Sequence, residues 1–350
     1  MNYFINDLVK LNSAEKVNAQ SKARRDVMRT FTECGYEVCN ILNYRYSWGE
    51  NKKYHHYPIL TKWIADRQVR KFLKRVGKGD TVIIQDFHLG QMQLLTTGCR
   101  KRGAKVVYVI HDVQCIRFNI ANHEIEQLNN ASLLLVHTDA MREKLKQLGV
   151  RTPMLIMQIF DYYTDSPMKN TADMTERKCE VVFAGNLNKS KFLYGLSQVG
   201  VLKEVSMRLY GMLDKRYIHM LDEVPNMEYC GVFRPDDTEK ITGGWGLIWD
   251  GDNISTCEGD YGDYLRYNSS HKASLYLACG LPIIVWKESA LAPWVMQEQI
   301  GIAIDSLEEM NDVIANVSEE QYKVLTENAH RVGEQLRQGL LLKQLIENNL

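Results

Sequence analysis

The residues best suited to chemistry lie between Trp245 and Pro282. An apolar run, Gly246-Leu247-Ile248-Trp249, ends directly in Asp250-Gly251-Asp252. After about fifteen residues without periodicity, Asn268-Ser269-Ser270-His271-Lys272 lead into a helical pattern of Ala273, Leu275, Tyr276, Leu277 and Ala278 that closes at Gly280. Hydroxyls, an imidazole and an ammonium at a helix start, where backbone N–H groups are unpaired, suit a phosphate-bearing ligand. The plainer reading of the same residues is a capped surface helix with a solvated lysine. A second group could move protons. Asp86 and His88 follow the apolar run Thr81–Ile84, and His111 and Asp112 follow Val106–Ile110. Each alone reads as a cap or loop residue; together they put a histidine and a carboxylate after each of two strands. The turn Gly185-Asn186-Leu187-Asn188-Lys189, after Glu180–Phe183, offers bare backbone and a lysine. It lacks the G-x-G-x-x-G spacing, so it does not indicate a dinucleotide.

The elements that must position these residues alternate. Strand patterns at Tyr3–Ile5, Tyr36–Val38, Thr81–Ile84, Val106–Ile110 and Leu133–Val136 are separated by helical patterns from about Ala19, Thr61, Leu89, Glu124 and Asp139. Residues 6–18 and 43–57 read as polar loops. The stretch 161–178 holds Pro167, many polar residues and no apolar period, so a linker is expected there. Alternation then restarts with strands at Glu180–Phe183, Val205–Tyr210, Met227–Tyr229, Gly246–Trp249, Leu281–Trp286 and Ile302–Ile304, followed by helices Leu307–Val317 and Glu319–Leu336. Such a pattern predicts two α/β domains, each an open parallel sheet with helices on both faces, with ligands at the carboxyl ends of the strands. Boundaries are expected at 1–160, 179–335 and a helical tail 336–350.

At 350 residues with 45% apolar and 25% charged content, the chain has the composition of a soluble protein with two cores. No run approaches the roughly twenty apolar residues of a membrane span, and MNYFINDLVK lacks the marks of an export signal. A cytoplasmic protein is expected, possible also at the inner face of a membrane. The 8 cysteines are scattered with no C-x-x-C pair, which argues for reduced thiols. Net charge is zero, yet residues 1–151 hold about 25 Lys/Arg against 14 Asp/Glu, and the rest reverse the imbalance. Basic residues cluster at Arg67, Arg70, Lys71, Lys74, Arg75 and Lys78, and again at Arg100, Lys101, Arg102 and Lys105. A solvated helix face is one reading, and attraction to an anionic surface or acidic partner the other. Nucleic acid is disfavoured, because no aromatic interleaving accompanies the charges.

Three blocks in order, FAGNLNKSKF, GLIWDGD and YGDYLRYNSSHKASLYLACGLPIIVWKESALAPWV, resemble the C-terminal half of a bacterial glycosyltransferase family. That family comprises galactofuranosyltransferases and the glucosyltransferases that extend O-GlcNAc on serine-rich adhesins. VVYVIHDV in the first half resembles it more loosely. The resemblance implies a GT-B fold of two Rossmann-like domains facing each other across a cleft. It also implies a UDP-sugar donor held mostly by the second domain, an acceptor bound by the first, and inverting transfer without a metal or other cofactor. Lys272 with Ser270 and His271 matches the family's phosphate-gripping motif; Asn268 and Tyr267 match the residues ahead of it; Gly185, Asn186 and Lys189 match the loop after the second domain's first strand. Tyr210 and the carboxylates Asp250 and Asp252 join them as expected donor contacts, the last two through sugar hydroxyls. Asn18 and Asp86 are expected toward the acceptor. The base candidates are Asp112, then His111 and His88, and last Asp86. The pair of glutamates of the large retaining GT-B group is missing, with Tyr267 and Leu275 near those positions.

The expected function is therefore transfer of glucose, galactose or galactofuranose from a UDP-sugar to a hydroxyl of an acceptor such as glycoprotein GlcNAc or a lipid-linked glycan. Peripheral membrane association and homo-oligomerisation are further expectations. Two rivals stand beside it. Asp250-Gly251-Asp252 is also the D-x-D pattern that holds Mn²⁺ on a UDP-sugar in single-domain transferases. A nucleotide-sugar-binding subunit without turnover would share the fold.

Overall fold

The computed structural model describes residues 1–6, 19–42, 59–85, 90–118, 123–170, 174–196, 202–214 and 224–350. Asn18, Asp86 and His88 lie outside the described residues. The strands, in chain order, are β1 Asn2–Asn6, β2 Glu37–Asn40, β3 Thr81–Ile84, β4 Lys105–Val109, β5 Leu133–Val136, β6 Met154–Ile156, β7 Glu180–Asn186, β8 Ser206–Met212, β9 Met227–Tyr229, β10 Trp245–Ile248, β11 Ile283–Trp286 and β12 Gly301–Ile304. The helices are α1 Ala19–Glu33, α2 Ile59–Leu73, α3 Gly90–Arg100, α4 Gln114–Arg117, α5 His123–Leu128, α6 Asp139–Gln147, α7 Phe192–Gly195, α8 Gly259–Gly262, α9 His271–Ala278, α10 Ala292–Glu298, α11 Met310–Asn316, α12 Glu319–Arg337 and α13 Leu340–Asn349. Short 3₁₀ turns at Leu187–Lys189 and Asp263–Arg266 flank the site described below.

The chain forms two compact units. One holds Met1–His137, Arg142–Met157 and Leu342–Leu350; the other holds Thr138–Met141 and Gln158–Leu341. Each has one six-stranded, all-parallel sheet, as the alternating pattern predicts. The first runs β2-β1-β3-β4-β5-β6, and its inner strands β3 and β5 are buried at every position, as strands covered on both faces must be. Phe4 on β1 meets Phe31 of α1, which meets Tyr36 in turn, with ring centroids 5.4 and 5.0 Å apart. β6 was not anticipated: Met154–Ile156 is half-exposed throughout and short, so it carries no alternation to read.

The second sheet runs β12-β11-β10-β7-β8-β9, with strand order reversing between β7 and β10. Residues 161–178, expected as a linker, belong to this unit, where the Tyr162 hydroxyl is buried and donates to the Pro235 carbonyl at 2.6 Å. The stretch expected to be structureless before His271 instead contains α8 and the 3₁₀ turn after it. Four-residue turns are below the length at which periodicity is legible. Among the described residues no helix is long and apolar enough to cross a membrane.

Candidate active site

Where the order of a parallel sheet reverses, neighbouring strands lead away to opposite sides and a crevice opens at their carboxyl ends. In the second unit that point lies between β7 and β10. Their ladder registers only Trp245 with Val181 and Gly246 with Val182, after which the strands part. Tyr276 of α9 fills the parting. Its hydroxyl accepts the Ala184 N–H at 2.8 Å, a backbone donor that β10 no longer reaches. A Cβ at Gly246 would lie 2.1 Å from the Tyr276 ring, so only glycine lets the helix settle so close. Burial pushes the Tyr276 phenol well above its ordinary range, and it stays neutral.

Lys272 stands one helical turn before Tyr276 and therefore on the same face, at the mouth of the crevice. Its ammonium meets both carboxylate oxygens of Asp250, at 2.8 and 2.9 Å, just past the end of β10. It also lies 5.2 Å over the Phe183 ring. The lysine side chain is 17% exposed and the aspartate 28%, so the pair is half-dry yet open to a ligand. Gly185 borders the same point, since a Cβ there would sit 3.3 Å from the Lys272 Cε. Beside it, Gly211 of β8 has φ +140, and a Cβ would overlap the Gly185 carbonyl at 1.7 Å. The two paired glycines leave a floor of bare backbone.

The α9 start is built as expected. Ser270 is the N-cap, its hydroxyl accepting the Lys272 N–H at 3.4 Å. His271 stacks on Tyr162, 5.1 Å between centroids, and is fixed there. The Asn268 side-chain oxygen is enclosed and, among the described residues, receives no hydrogen bond. At its other end the helix is closed by Gly280 with φ +81 and by the Arg337 guanidinium, which donates to the Ala278 carbonyl at 2.9 Å.

Not all the expected donor contacts gather here. Asn186 caps the 3₁₀ turn through Asn188, and Lys189 lies 5.1 Å over the exposed Tyr261 ring. Asp252 is exposed and pairs with Lys191 at 2.8 Å. Tyr210 is 4% exposed, and its hydroxyl is spent on Thr242, 3.0 Å from Oγ1 and accepting the N–H at 3.2 Å. That contact is made on the approach to β10, away from the strand ends. Phe183, Gly211 and Tyr276 were not singled out in the sequence. Each looks like ordinary core or turn, and only the register of β7 against β8 and β10 makes them neighbours of Lys272.

In the first unit, His111 and Asp112 follow β4, as expected. His111 Nε2 is 2.8 Å from Gln85 Oε1 at the end of β3. The Gln85 amide nitrogen donates to the Arg24 carbonyl at 3.2 Å, which leaves Oε1 as the acceptor. His111 therefore carries its proton on Nε2 and its lone pair on Nδ1. Asp112 accepts from Arg117 at 2.7 Å. Arg117 was missed, because α4 is a single turn with no period of its own. His137, after β5, is fully enclosed, its Nε2 donating to the Ile110 carbonyl at 2.9 Å. Burial lowers its pKa to about 4.

Residues 2–159 match the domain described as glucosyltransferase 3-like, N-terminal domain, and residues 181–349 match the corresponding C-terminal domain. The chain belongs to the glucosyltransferase 3-like family. It is a glycosyltransferase of the hexosyl-transferring kind, as the resemblance implied. This glucosyltransferase 3-like chain is 28% identical to the beta-1,6-galactofuranosyltransferase WbbI of Escherichia coli K12, over 99% of its own length and 97% of that protein. It is 26% identical to glucosyltransferase 3 of Streptococcus gordonii, over 80% and 82% of the two chains. Among solved structures it is similar to Anabaena HepE, crystallised with UDP and glucose, with TM-score 0.58, 12% identity and coverage of 100% and 99%. The glycosyltransferase AviGT4 of avilamycin A biosynthesis gives 0.52 at 12% identity, covering 97% and 98%. These likenesses place the family member in the GT-B fold class.

Proposed function

We propose that the protein transfers a hexose from a UDP-sugar to a hydroxyl of a sugar acceptor, with inversion and without a metal. The observation that carries this is Lys272 at the mouth of the β7–β10 crevice, beside the bare backbone of Gly185 and at the N-terminus of α9. A diphosphate there meets an ammonium, helix N–H groups and no intruding Cβ, so charge developing on the leaving UDP is stabilised as the glycosidic bond breaks. Asp250 holds the ammonium in position until the phosphate oxygens share it. The relatives' names, a galactofuranosyl and a glucosyl transferase, support a hexose donor.

The absence of a metal requirement is supported by the charge partners of Asp-Gly-Asp. Asp250 is neutralised by Lys272 and Asp252 by Lys191, so neither carboxylate is poised as a cation ligand. Transfer, followed by UDP release from a UDP-hexose and a GlcNAc-terminated or lipid-linked acceptor, is expected to persist in EDTA. Activity lost in EDTA and restored only by Mn²⁺ would overturn the metal-free reading. UDP release no faster than without acceptor would point to a binding subunit.

For the base, Asp112 is oriented by Arg117 and takes the acceptor proton late, as the oxygen bonds to the anomeric carbon. A specific observation favours His111 as a second reading: Gln85 fixes its tautomer so that Nδ1 is the basic atom. Asp112→Asn is expected to lower turnover by about 10²-fold or more with donor affinity unchanged. Turnover retained in that variant and lost in His111→Ala would assign the base to the histidine.

A further inference from the structure

The outer face of α2 is strongly basic. Lys62 in the first turn is exposed, and so are Trp63, Arg67, Arg70, Lys71 and Lys74, which are spaced so that they share one side of the helix, while Ala65, Val69, Phe72 and Leu73 face the core. Asp66, half-buried, is the one acidic residue within that stripe. None of the five cations makes an ion pair with a carboxylate among the described residues. The stripe continues past the helix end. Lys78 lies against Gly103, whose Cβ position is 3.2 Å from its side chain, bringing up exposed Lys101 and Arg102 after α3. Trp63 is 55% exposed, the largest exposed aromatic among the described residues, with the Arg67 guanidinium 5.5 Å over its ring.

We propose that this face docks the enzyme on an anionic lipid bilayer. A row of cations on one helix face, without carboxylate partners among the described residues, is attracted to a sheet of negative headgroups. A solvent-facing indole held between them is the side chain that settles at the headgroup level. An acidic protein would explain the charges but gives no reason for an exposed tryptophan among them, with an arginine over its ring. The placement also has a use. In a parallel α/β unit the connecting helix runs opposite to the strands, so the Trp63 end of α2 lies toward the carboxyl ends of β2 and β3, the edge where Gln85 and His111 sit. A docked α2 would bring that edge to the bilayer, where a lipid-linked acceptor presents its sugar. The inference does not depend on how the donor is held.

The test is co-sedimentation of the full chain with vesicles of phosphatidylcholine alone and of phosphatidylcholine with about a third phosphatidylglycerol. Binding is expected only to the anionic vesicles and should weaken steeply between about 50 and 300 mM salt. Arg70→Glu with Lys71→Glu and Lys74→Glu should reduce it by about a hundredfold or more. Trp63→Ala should reduce it several-fold, with the wild type but not this variant showing a blue-shifted tryptophan emission on binding. Both variants should keep UDP binding and transfer to a soluble acceptor, which checks that they fold. Equal binding to neutral vesicles, no binding at low salt, or binding unmoved by the charge reversals would each overturn the proposal, the last two leaving a solvated face or an acidic protein partner.

Discussion

At the scale of single residues, the sequence named the lysine but not its company. Ser-His-Lys before a helical run was enough to expect a phosphate grip, because capping and charge at a helix start are local properties. That Asp250 would hold the Lys272 ammonium, rather than only a sugar hydroxyl, depends on β10 ending opposite the first turn of α9, which spacing along the chain does not encode. The pairing has a measurable consequence. Lys272→Ala removes the cation and leaves Asp250 as a net negative charge facing the diphosphate, so UDP affinity should fall by about 2–4 kcal/mol, more than the loss of one charge-assisted contact. The double change with Asp250→Asn should recover part of that loss; calorimetry on both variants checks it, and equal affinity in the two would mean the carboxylate does not face the phosphates. His137 offers a test of a different kind. Its folded pKa of about 4 lies below the ~6.5 of an unfolded histidine, so its neutral form contributes stability in full above pH 6.5. That contribution, on the order of 3 kcal/mol, is lost as the pH falls from 6.5 toward 4, because the unfolded chain takes up the proton first. Urea titrations at pH 7 and 4.5 should show a steep loss in the wild type and a shallower one in His137→Asn.

At the scale of elements, the long inner strands and the helices between them were legible because burial on both faces demands continuous apolar runs. Single-turn α4, α7 and α8, the two-turn α10 and the edge strand β6 were not, having too few residues for any period to show. The apolar pattern of α9 marks a helix, as found, yet the central task of that helix was hidden. Tyr276 counts as one more apolar position in the pattern, although its hydroxyl replaces a missing rung of the sheet. Removing that oxygen leaves the Ala184 N–H buried and unpaired, so Tyr276→Phe should cost about 1–3 kcal/mol with the fold retained. Gly246→Ala acts on the same contact from the strand side. Its methyl would fall 2.1 Å from the Tyr276 ring, and the helix must move away from β10 to admit it. Because Lys272 rides on that helix, Gly246→Ala should weaken UDP binding as well as stability. Tyr276→Phe should mainly lower stability. Chemical denaturation paired with UDP titration separates the two effects, and an alanine variant that binds UDP normally would mean α9 is not the element that sets the lysine.

At the scale of the whole molecule, two parallel sheets with separate cores give the chain two places to unfold, and its last helix belongs to both stories. Leu342–Leu350 is counted with the first unit, although α12 just before it packs on α9 in the second. Leu342 and Ile346 are buried, 5% and 4% exposed, and Glu347 and Lys343 lie near enough to Cys34, just after α1, to act on its thiol, which burial chiefly pushes up. The sequence suggested a helical tail but gave no sign of which core it serves, since an amphipathic decapeptide fits either. Deleting Leu342–Leu350 withdraws two apolar anchors from the first unit, worth about 3–6 kcal/mol at full burial, and nothing from the crevice around Lys272. The truncated chain should therefore melt at a lower temperature in a transition that UDP does not move, while a second transition keeps its UDP-dependent rise of about 2.7 kcal/mol at a hundredfold excess over Kd. Calorimetry with and without UDP distinguishes this from the contrary result, a single lowered transition with UDP binding lost. That result would mean the tail supports the donor-binding unit instead, and that the chain's return to its first half is incidental to stability.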